Sequence, residues 1–238
     1  AVDKEYNHLI LLAENETGYK NLLKIVTISN LEGYYYKPRT DLALLEKYHE
    51  GLICLSACIN GYVTEPLLRN EEKTAEERAI KLANIFGPNN FYLELQRHLD
   101  VPPQEPANQK LLALSKKLGI PVVATNDNHY TRPEDAEAQE ILLCVQTQST
   151  ILDKDRKLSM VSSPDFYLKT AEEMEKLFID IPEAIENAVK IGERCNVEIE
   201  LGKWIMPVFE VPKGKTAANY LRELVHEGLL KRYKEITP

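Results

Sequence analysis

The chain has 238 residues, of which 44% are hydrophobic, and its 29 Lys and Arg against 37 Asp and Glu give a formal net charge of −8. This length allows one large domain, or one domain with part of another, and the composition excludes a disordered tail and a fibrous repeat. The acidic balance excludes a chain that binds nucleic acid over its whole surface, because such binding requires Lys and Arg to neutralise phosphates. Any contact with nucleic acid must therefore be local.

The first 130 residues alternate between apolar runs typical of buried strands and segments with helical periodicity. Strands are predicted at 8–14, 51–58, 91–98 and 120–130. Helices are predicted at 16–33 with Thr17 as the cap, at 71–87 and at 108–119, the last two ending in Gly. Strands and helices that alternate at this pace predict parallel pairing with the helices outside the sheet.

Beyond residue 130 the alternation stops and helices dominate. They are predicted over 134–150, from Thr170 in a capping box with Glu173, over 181–196, and over 216–233 as an amphipathic helix. Residues 197–216 are interrupted by Pro and Gly and are predicted to be extended. The charge also changes, because residues 201–238 hold seven Lys and Arg against four Asp and Glu while residues 1–200 are net −11. Both signals predict a domain boundary near residue 199.

The cysteines and the N-terminus bear on the compartment. No CxxC occurs, and only Cys54 and Cys58 lie close together, which favours a reduced, cytoplasmic environment. No apolar run approaches the length of a membrane span, and the N-terminus resembles neither a signal nor a transit peptide. The sequence lacks an initial Met and enters an apolar run within a few residues, so we expect it to begin inside a domain.

Side chains that can bind metal stand at the ends of three predicted strands. These strands end in Cys58, in His98, and in the pair Asp127 and His129. In α/β barrels the functional residues lie at the carboxyl ends of the strands. If strand geometry persists beyond Asp127, residues two apart project to the same side and point at a shared ion. His8 stands at the beginning of its strand, where a ligand role is less obvious.

Each of these residues also has a structural interpretation. His8 before an apolar strand is more often a hydrogen-bonded structural histidine than a ligand, and an isolated Cys58 is more often a small buried hydrophobe. His98 could be an exposed loop residue, and residues 125–127 could form an Asx turn. Their coincidence at strand ends favours a site over each single alternative.

Two other kinds of site are excluded. Neither GxGxxG nor GxxxxGK[ST] occurs, so the sequence has no glycine-rich phosphate loop. No serine stands between glycines at the spacing of a nucleophile elbow.

Successive blocks of the sequence resemble the bacterial DNA polymerase III alpha-subunit family, in its replicative form. They include HLILLAENETGYKNLLKIVTISNLEGYYYKPR, FYLELQRH, PVVATNDNHY and MPVFEVPKGKTAANYLRELVHEGLLKRY. The resemblance implies that residues 1–198 are the C-terminal part of a polymerase-and-histidinol-phosphatase (PHP) domain and that residues 199–238 begin a polymerase palm domain. The implied fold class is α/β, an incomplete, distorted (β/α)7 barrel of parallel strands.

The same resemblance implies a metal site. Its ligands map onto His8, Cys58, Asp127 and His129. His98 and Asn126 are implied to line the site. The ions are divalent, with Zn²⁺ favoured by the thiolate and Mn²⁺ or Mg²⁺ as alternatives. The N-terminal HxHSxxS-type motif and further ligands are absent, and the palm carboxylates, which would bind Mg²⁺, lie outside this chain.

The function implied for the full-length protein is that of a DNA-directed DNA polymerase in replication. Its partners would be DNA, dNTPs and replisome subunits such as a sliding clamp and a proofreading exonuclease, with no membrane. A complete PHP site would have 3′–5′ exonuclease activity, whereas this fragment alone is expected to be inactive. The alternatives are an architectural, metal-stapled PHP scaffold and a free-standing PHP phosphoesterase, against which the palm-like C-terminal segment argues.

Overall fold

The computed structural model describes residues 6–98, 100–153, 156, 159–160, 164–204 and 206–233. Contacts between Cα atoms divide the chain into two compact units, residues 1–198 and residues 199–238. The strands of the first unit are β1 (Ile10–Ala13), β2 (Leu52–Leu55), β3 (Phe91–Gln96) and β4 (Val122–Thr125). Its helices are α1 (Glu16–Leu31), α2 (Leu42–Lys47), α3 (Thr64–Leu68), α4 (Glu72–Phe86), α5 (Gln104–Leu118), α6 (Ala136–Thr147), α7 (Ala171–Leu177) and α8 (Pro182–Arg194), with a 3₁₀ turn at Pro133–Asp135.

The strands form one sheet in the order β1-β2-β3-β4. β2 pairs with β3, and β3 with β4, in the predicted parallel direction. β1, the outer strand beside β2, runs antiparallel to it, with Ile10 opposite Leu55, so the prediction of parallel pairing is wrong for β1. The reason is that α1 and α2 together carry the chain out and back to the same end of the sheet, where Glu14 N–H donates to Gly51 O (2.9 Å). The predicted burial of this first strand is also wrong, since β1 is only half-buried.

The core lies on both faces of the sheet, because every residue of β2 and β3 is buried. The larger cluster, which includes Phe91 and Leu93, joins one face to the inner sides of α1, α4 and α5. A smaller cluster on the opposite face packs Ile53 and Val123 against Ile191 of α8. α8 also covers β4, where the Asn187 amide donates to Val122 O (2.8 Å).

Most of the predicted helices are present, and their ends show which sequence signals predicted the helix boundaries correctly. α4 and α5 end at Gly87 and Gly119, and Gly119 adopts a left-handed conformation (φ +68°) as a glycine C-cap does. The cap of α1 is Asn15, whose side chain accepts from Gly18 N–H, so the prediction of Thr17 is wrong. Thr17 lies inside the first turn, where its hydroxyl cannot replace the cap residue.

Other helices of the first unit partly differ from and partly match the predictions. α5 begins at Gln104, four residues before the predicted start, and the short helices α2 and α3 were not predicted. The capping box of α7 is confirmed, because Thr170 and Glu173 exchange hydrogen bonds with each other's backbone N–H groups. Helices of five or six residues leave too little periodicity to be recognised.

The second unit contains the helix α9 (Ala217–Arg232), which Thr216 caps by accepting from Asn219 N–H (3.3 Å). No residue of α9 is buried. The described residues of 197–216, which were predicted to be extended, form neither helix nor strand. Among the residues with described structure, no helix combines the length and apolar character required to cross a membrane.

Candidate metal site

The antiparallel direction of β1 explains the position of His8. The parallel strands β2, β3 and β4 end at one edge of the sheet, and the antiparallel β1 begins there. His8, just before β1, is therefore brought to the carboxyl edge of the other strands. Its backbone is held there because His8 N–H donates to Asn60 O (3.0 Å) and Tyr62 N–H donates to His8 O (3.2 Å).

His8 and Cys58 are in direct contact, with His8 Nδ1 3.4 Å from Cys58 Sγ. The imidazole is exposed and the thiol is half-buried. Burial raises the pKa of the Cys58 thiol, and the charge of Asp127 raises it further. The thiol is therefore protonated at neutral pH unless a cation stabilises the thiolate.

The turn that presents Cys58 is tightly constrained. Ala57 has a left-handed backbone (φ +63°), which disfavours residues with a Cβ. Gly61, three residues after Cys58, allows the chain to fold closely, since a Cβ there would lie 2.1 Å from Ser56 O. Within this turn, Gly61 N–H donates to Cys58 O (2.8 Å).

Glu94 holds this turn in place, and the sequence patterns did not single it out. Its carboxylate, on β3, is only 2% exposed. One oxygen accepts from Ala57 N–H (3.0 Å), and the other accepts from Gln96 Nε2 (2.9 Å) and Thr125 Oγ1 (2.5 Å). Burial raises the pKa of Glu94. The signal that could have found it is a carboxylate between Leu93 and Leu95 in an otherwise apolar buried strand.

Asp127 and His129 stand after β4 and not on it. The strand ends at Thr125, and Asp127 has a left-handed backbone (φ +49°), so the expected alternation through His129 is wrong. The two residues are nevertheless linked, because His129 Nδ1 lies 2.7 Å from Asp127 O. A carbonyl oxygen only accepts, so Nδ1 is the donor in this contact and Nε2 is the ring nitrogen that remains to face a ligand. Phe166 O anchors His129 by accepting from its backbone N–H (2.8 Å).

His98 is buried beside this pair, so the alternative of an exposed loop residue is wrong. Its ring is 4% exposed and stacks on Phe166 with a centroid separation of 4.0 Å. The same phenyl ring also meets the His129 ring edge-on, with a centroid separation of 5.3 Å. Neither His98 ring nitrogen has a hydrogen-bond partner within the described part of the chain. Burial lowers the pKa of His98 and keeps it neutral at pH 7.

Asn126 fixes the loop on the other side of Asp127. Its Nδ2 donates to Tyr167 O (2.6 Å), and its Oδ1 accepts from Lys169 Nζ (3.0 Å). Lys169 is itself buried and paired with Asp165 (2.8 Å). The amide is thus engaged in holding the segment 165–169 against the end of β4.

The four expected ligands form two pairs at one edge of the sheet, with nitrogen, sulfur and oxygen donors. This donor set suits a divalent ion of the zinc type. Across 6–98 and the later described ranges, however, no three His, Cys, Asp or Glu side chains converge closely enough to hold a metal ion. Among the described residues the four expected ligands therefore form two separate pairs that do not share one centre.

Comparison with known proteins shows which proteins this chain resembles. Residues 1–98 match the PHP domain family, a range that includes His8, Cys58 and Glu94. The chain is 47% identical over 232 residues to the DNA polymerase III subunit alpha of Borreliella burgdorferi, an alignment that covers 97% of the chain and 20% of that protein. The chain is a relative of the DNA polymerase III alpha subunits. It is also 41% identical over 237 residues to that of Treponema pallidum and 40% identical over 243 residues to that of Thermus aquaticus, covering 99% and 98% of the chain and 20% and 19% of those proteins.

The likeness to DNA polymerase III alpha subunits extends over both Asp127 and His129, which lie beyond the PHP match. The chain spans about a fifth of the length of these curated relatives. The PHP match and the mixed, mostly parallel sheet with surrounding helices confirm the predicted α/β fold class.

Proposed function

We propose that this chain is a segment of a replicative DNA polymerase III alpha subunit, a DNA-directed DNA polymerase. The support is the identity of 40–47% to alpha subunits over nearly the whole chain. In this proposal residues 1–198 belong to the PHP domain and residues 199–238 begin the palm domain. The full-length protein acts in the cytoplasm on DNA and dNTPs, with replisome subunits such as a sliding clamp and an exonuclease.

The proposed role of the PHP part is to bind divalent metal through His8, Cys58, Asp127 and His129. The observation that carries this proposal is the 3.4 Å contact between His8 Nδ1 and Cys58 Sγ at the edge where Asp127 and His129 also lie. The free Nε2 of His129 and the Asp127 carboxylate complete a donor set that favours Zn²⁺, with Mn²⁺ and Mg²⁺ as the alternatives. His98 and Asn126 line the site and fix the loops around it.

The proposal extends to a 3′–5′ exonuclease role for the complete PHP site, as the family resemblance implies. Divalent ions held by these residues would supply a hydroxide at neutral pH and would stabilise the charge on a phosphodiester. The residues of this chain hold the ligand loops, and Phe166 with His98 excludes water from one side. Because the Cys58 thiol has a raised pKa, metal uptake must release its proton. The affinity for metal is therefore expected to fall as the pH is lowered.

The test uses the full-length protein carrying Asp127→Asn and His129→Ala. We expect the rate of metal-dependent removal of primer 3′ ends to fall at least about 100-fold, because two proposed metal ligands are lost. The rate is assayed with Zn²⁺ or Mn²⁺ and without a separate exonuclease subunit. His226→Ala, on the exposed α9, is the matched control and should leave the rate unchanged. Equal nuclease rates in the ligand variant and the wild type would contradict the proposal.

An architectural role is a second candidate, favoured by the same His8–Cys58 contact because it joins the start of β1 to the end of β2. In this case the metal stabilises the fold without catalysis. A chelator would then lower the melting temperature of full-length protein that has no nuclease activity with either ion. A free-standing phosphoesterase is disfavoured, since the chain resembles polymerase subunits from end to end.

A further inference from the structure

We propose that the aromatic turn, defined as residues 34–39, forms with Tyr6 a binding surface for single-stranded nucleic acid beside the candidate metal site. The inference rests on the proposed function in one respect, namely that a strand bound here would have its end directed toward that site. The turn has the sequence Tyr-Tyr-Tyr-Lys-Pro-Arg. It lies between α1 and α2, and no residue that the candidate metal site uses belongs to it.

The first observation is the exposure of its rings. Tyr36 is 74% exposed, Tyr34 is 62% exposed and Tyr6 is 47% exposed. Tyr35 and Tyr36 touch edge to face, with a centroid separation of 4.7 Å. Exposed aromatic faces of this kind are the platforms on which unpaired bases stack, and such stacking tolerates any base.

The second observation is that stability does not explain the tyrosine at the tip of the turn. Tyr36 has a left-handed backbone (φ +60°), and Tyr35 N–H donates to Lys37 O (3.0 Å) across it. A residue with a Cβ is disfavoured in this conformation, whereas glycine adopts it without strain. The ring of Tyr36 is mostly exposed and therefore recovers little by burial. The turn presents this ring to solvent at a cost in stability.

The third observation is the placement of cations between the rings. Lys37 Nζ lies 5.0 Å from the centroid of the Tyr6 ring, and Arg39 Cζ lies 5.3 Å from it. Arg39 also lies 5.0 Å from the centroid of the Tyr35 ring. Positive charge thus stands beside the tyrosine rings of this surface, where the phosphates of a strand with stacked bases would need it. Such a local cluster is compatible with the net negative charge of the chain.

The surface is continuous with the candidate metal site. The Tyr6 ring stacks near His8 with a centroid separation of 6.4 Å, and His8 contacts Cys58. A cavity of about 350 Å³ opens beside Tyr6 and Arg39, and its lining combines polar groups of Asn7, Thr40 and Asp41 with mostly apolar side chains such as Leu42. These polar groups can contact the edge of a base whose face stacks on a tyrosine. A strand on the aromatic turn would therefore pass directly to His8.

The deciding variant is Tyr36→Gly in the 238-residue chain, because glycine relieves the backbone conformation while removing the ring. We expect its melting temperature to equal or exceed that of the wild type. Its affinity for a fluorescein-labelled dT12 oligonucleotide, measured by anisotropy, should fall about tenfold, in the range of one lost stacking contact. Lys37→Ala should weaken binding and reduce its dependence on salt. Tyr233→Ala with Lys20→Ala, an exposed tyrosine and lysine elsewhere, is the matched control and should leave the affinity unchanged.

Several outcomes would overturn the inference. These are failure of the wild type to bind dT12 at 50 mM salt, and unchanged binding by Tyr36→Gly. A third is that polyglutamate displaces the labelled dT12 as effectively as unlabelled dT12 does. A U12 oligonucleotide and a 12-base-pair duplex distinguish the source of the signal. Binding of dT12 and U12 well above the duplex supports a single-strand surface, and preference for the duplex contradicts it.

The same substitutions in the full-length protein separate this inference from the metal proposal. Zn²⁺ uptake by Tyr36→Gly should equal that of the wild type, while Cys58→Ser should lose Zn²⁺ and keep dT12 binding. If no variant or wild-type protein binds Zn²⁺ but dT12 binding still depends on Tyr36, the aromatic turn is supported and the metal proposal fails. If Zn²⁺ uptake depends on Cys58 but dT12 binding does not depend on Tyr36, the metal proposal is supported and the aromatic turn is not a binding surface.

Discussion

At the scale of single residues, Glu94 connects the ends of three strands. It lies on β3, and its carboxylate accepts from Ala57 N–H after β2 and from Thr125 at the end of β4. Ala57 precedes Cys58, and Thr125 stands two residues before Asp127. The buried carboxylate thus fixes the two loops that carry Cys58, Asp127 and His129, although it is not itself a proposed ligand.

Removal of this carboxylate is expected to cost much of the stability of the first unit. In Glu94→Ala the Ala57 N–H, the Gln96 amide and the Thr125 hydroxyl lose their acceptor in a buried site. We expect the free energy of unfolding to fall by about 3 kcal/mol, as several unsatisfied buried donors require. Glu186→Ala, which removes an exposed ion pair with Lys190 (3.5 Å), is the control and should change it by about 0.5 kcal/mol or less. Urea unfolding measures both.

The pH dependence of stability tests the same residue. Burial raises the folded-state pKa of Glu94 above its ordinary value of 4.5, so the folded state binds this proton more tightly than the unfolded state does. The contribution of Glu94 to stability is therefore present below pH 4.5 and declines as the pH rises from there to the raised pKa. Glu94→Gln has no such proton, and its loss of stability relative to the wild type should shrink over that interval. A constant difference between pH 4 and pH 8 would contradict this assignment.

At the scale of elements, two helical glycines illustrate how packing decides a substitution. Gly18, in the first turn of α1, lies against the chain at the start of β2, and a Cβ there would be 1.8 Å from Gly51 O. Gly192, in α8, has no atom within 4 Å of the position of an added Cβ. The first glycine permits the close approach of helix and strand, and the second serves no such purpose.

Alanine at these two positions should have opposite effects. Gly18→Ala must displace backbone atoms and is expected to lower the free energy of unfolding by about 3 kcal/mol, within the range for overpacking. Gly192→Ala should raise it by about 0.5–1 kcal/mol, because alanine restricts the unfolded chain and favours the helix. Thermal unfolding of both variants measures the difference. Equal melting temperatures would show that α1 does not pack against Gly51 as described.

The elements also show what sequence patterns can and cannot specify. Gly119 and the Thr170–Glu173 capping box mark helix ends because their signals are local, and both predictions are confirmed. The direction of β1 depends on where a long connection returns the chain, which no local pattern encodes. Likewise, no local pattern indicates the left-handed backbone of Asp127, which follows the tertiary hydrogen bond of Asn126 to Tyr167 O, so the alternation expected from the sequence failed there.

At the scale of the whole molecule, sequence and structure place the candidate site at the same edge of the sheet. Three strand ends identified Cys58, His98 and the Asp127–His129 pair, while the place of His8 became clear only from the antiparallel β1. Glu94 was missed because the apolar pattern of its strand is unchanged by one polar residue with internal partners. The candidate site is thus largely encoded by residues at element ends, and its support is encoded by tertiary packing.

The most direct test of the proposed metal site is Co²⁺ binding by the full-length protein, followed through the absorption of the thiolate–cobalt bond. A wild-type protein that uses Cys58 as a ligand should show this absorption, and Zn²⁺ should displace it. Cys58→Ser should abolish the band, and Asp127→Asn with His129→Ala should weaken Co²⁺ binding at least about tenfold. Cys195→Ser, at the end of α8, should leave the spectrum unchanged. A wild-type protein without the band, or a Cys58→Ser protein that retains it, would contradict the proposed site.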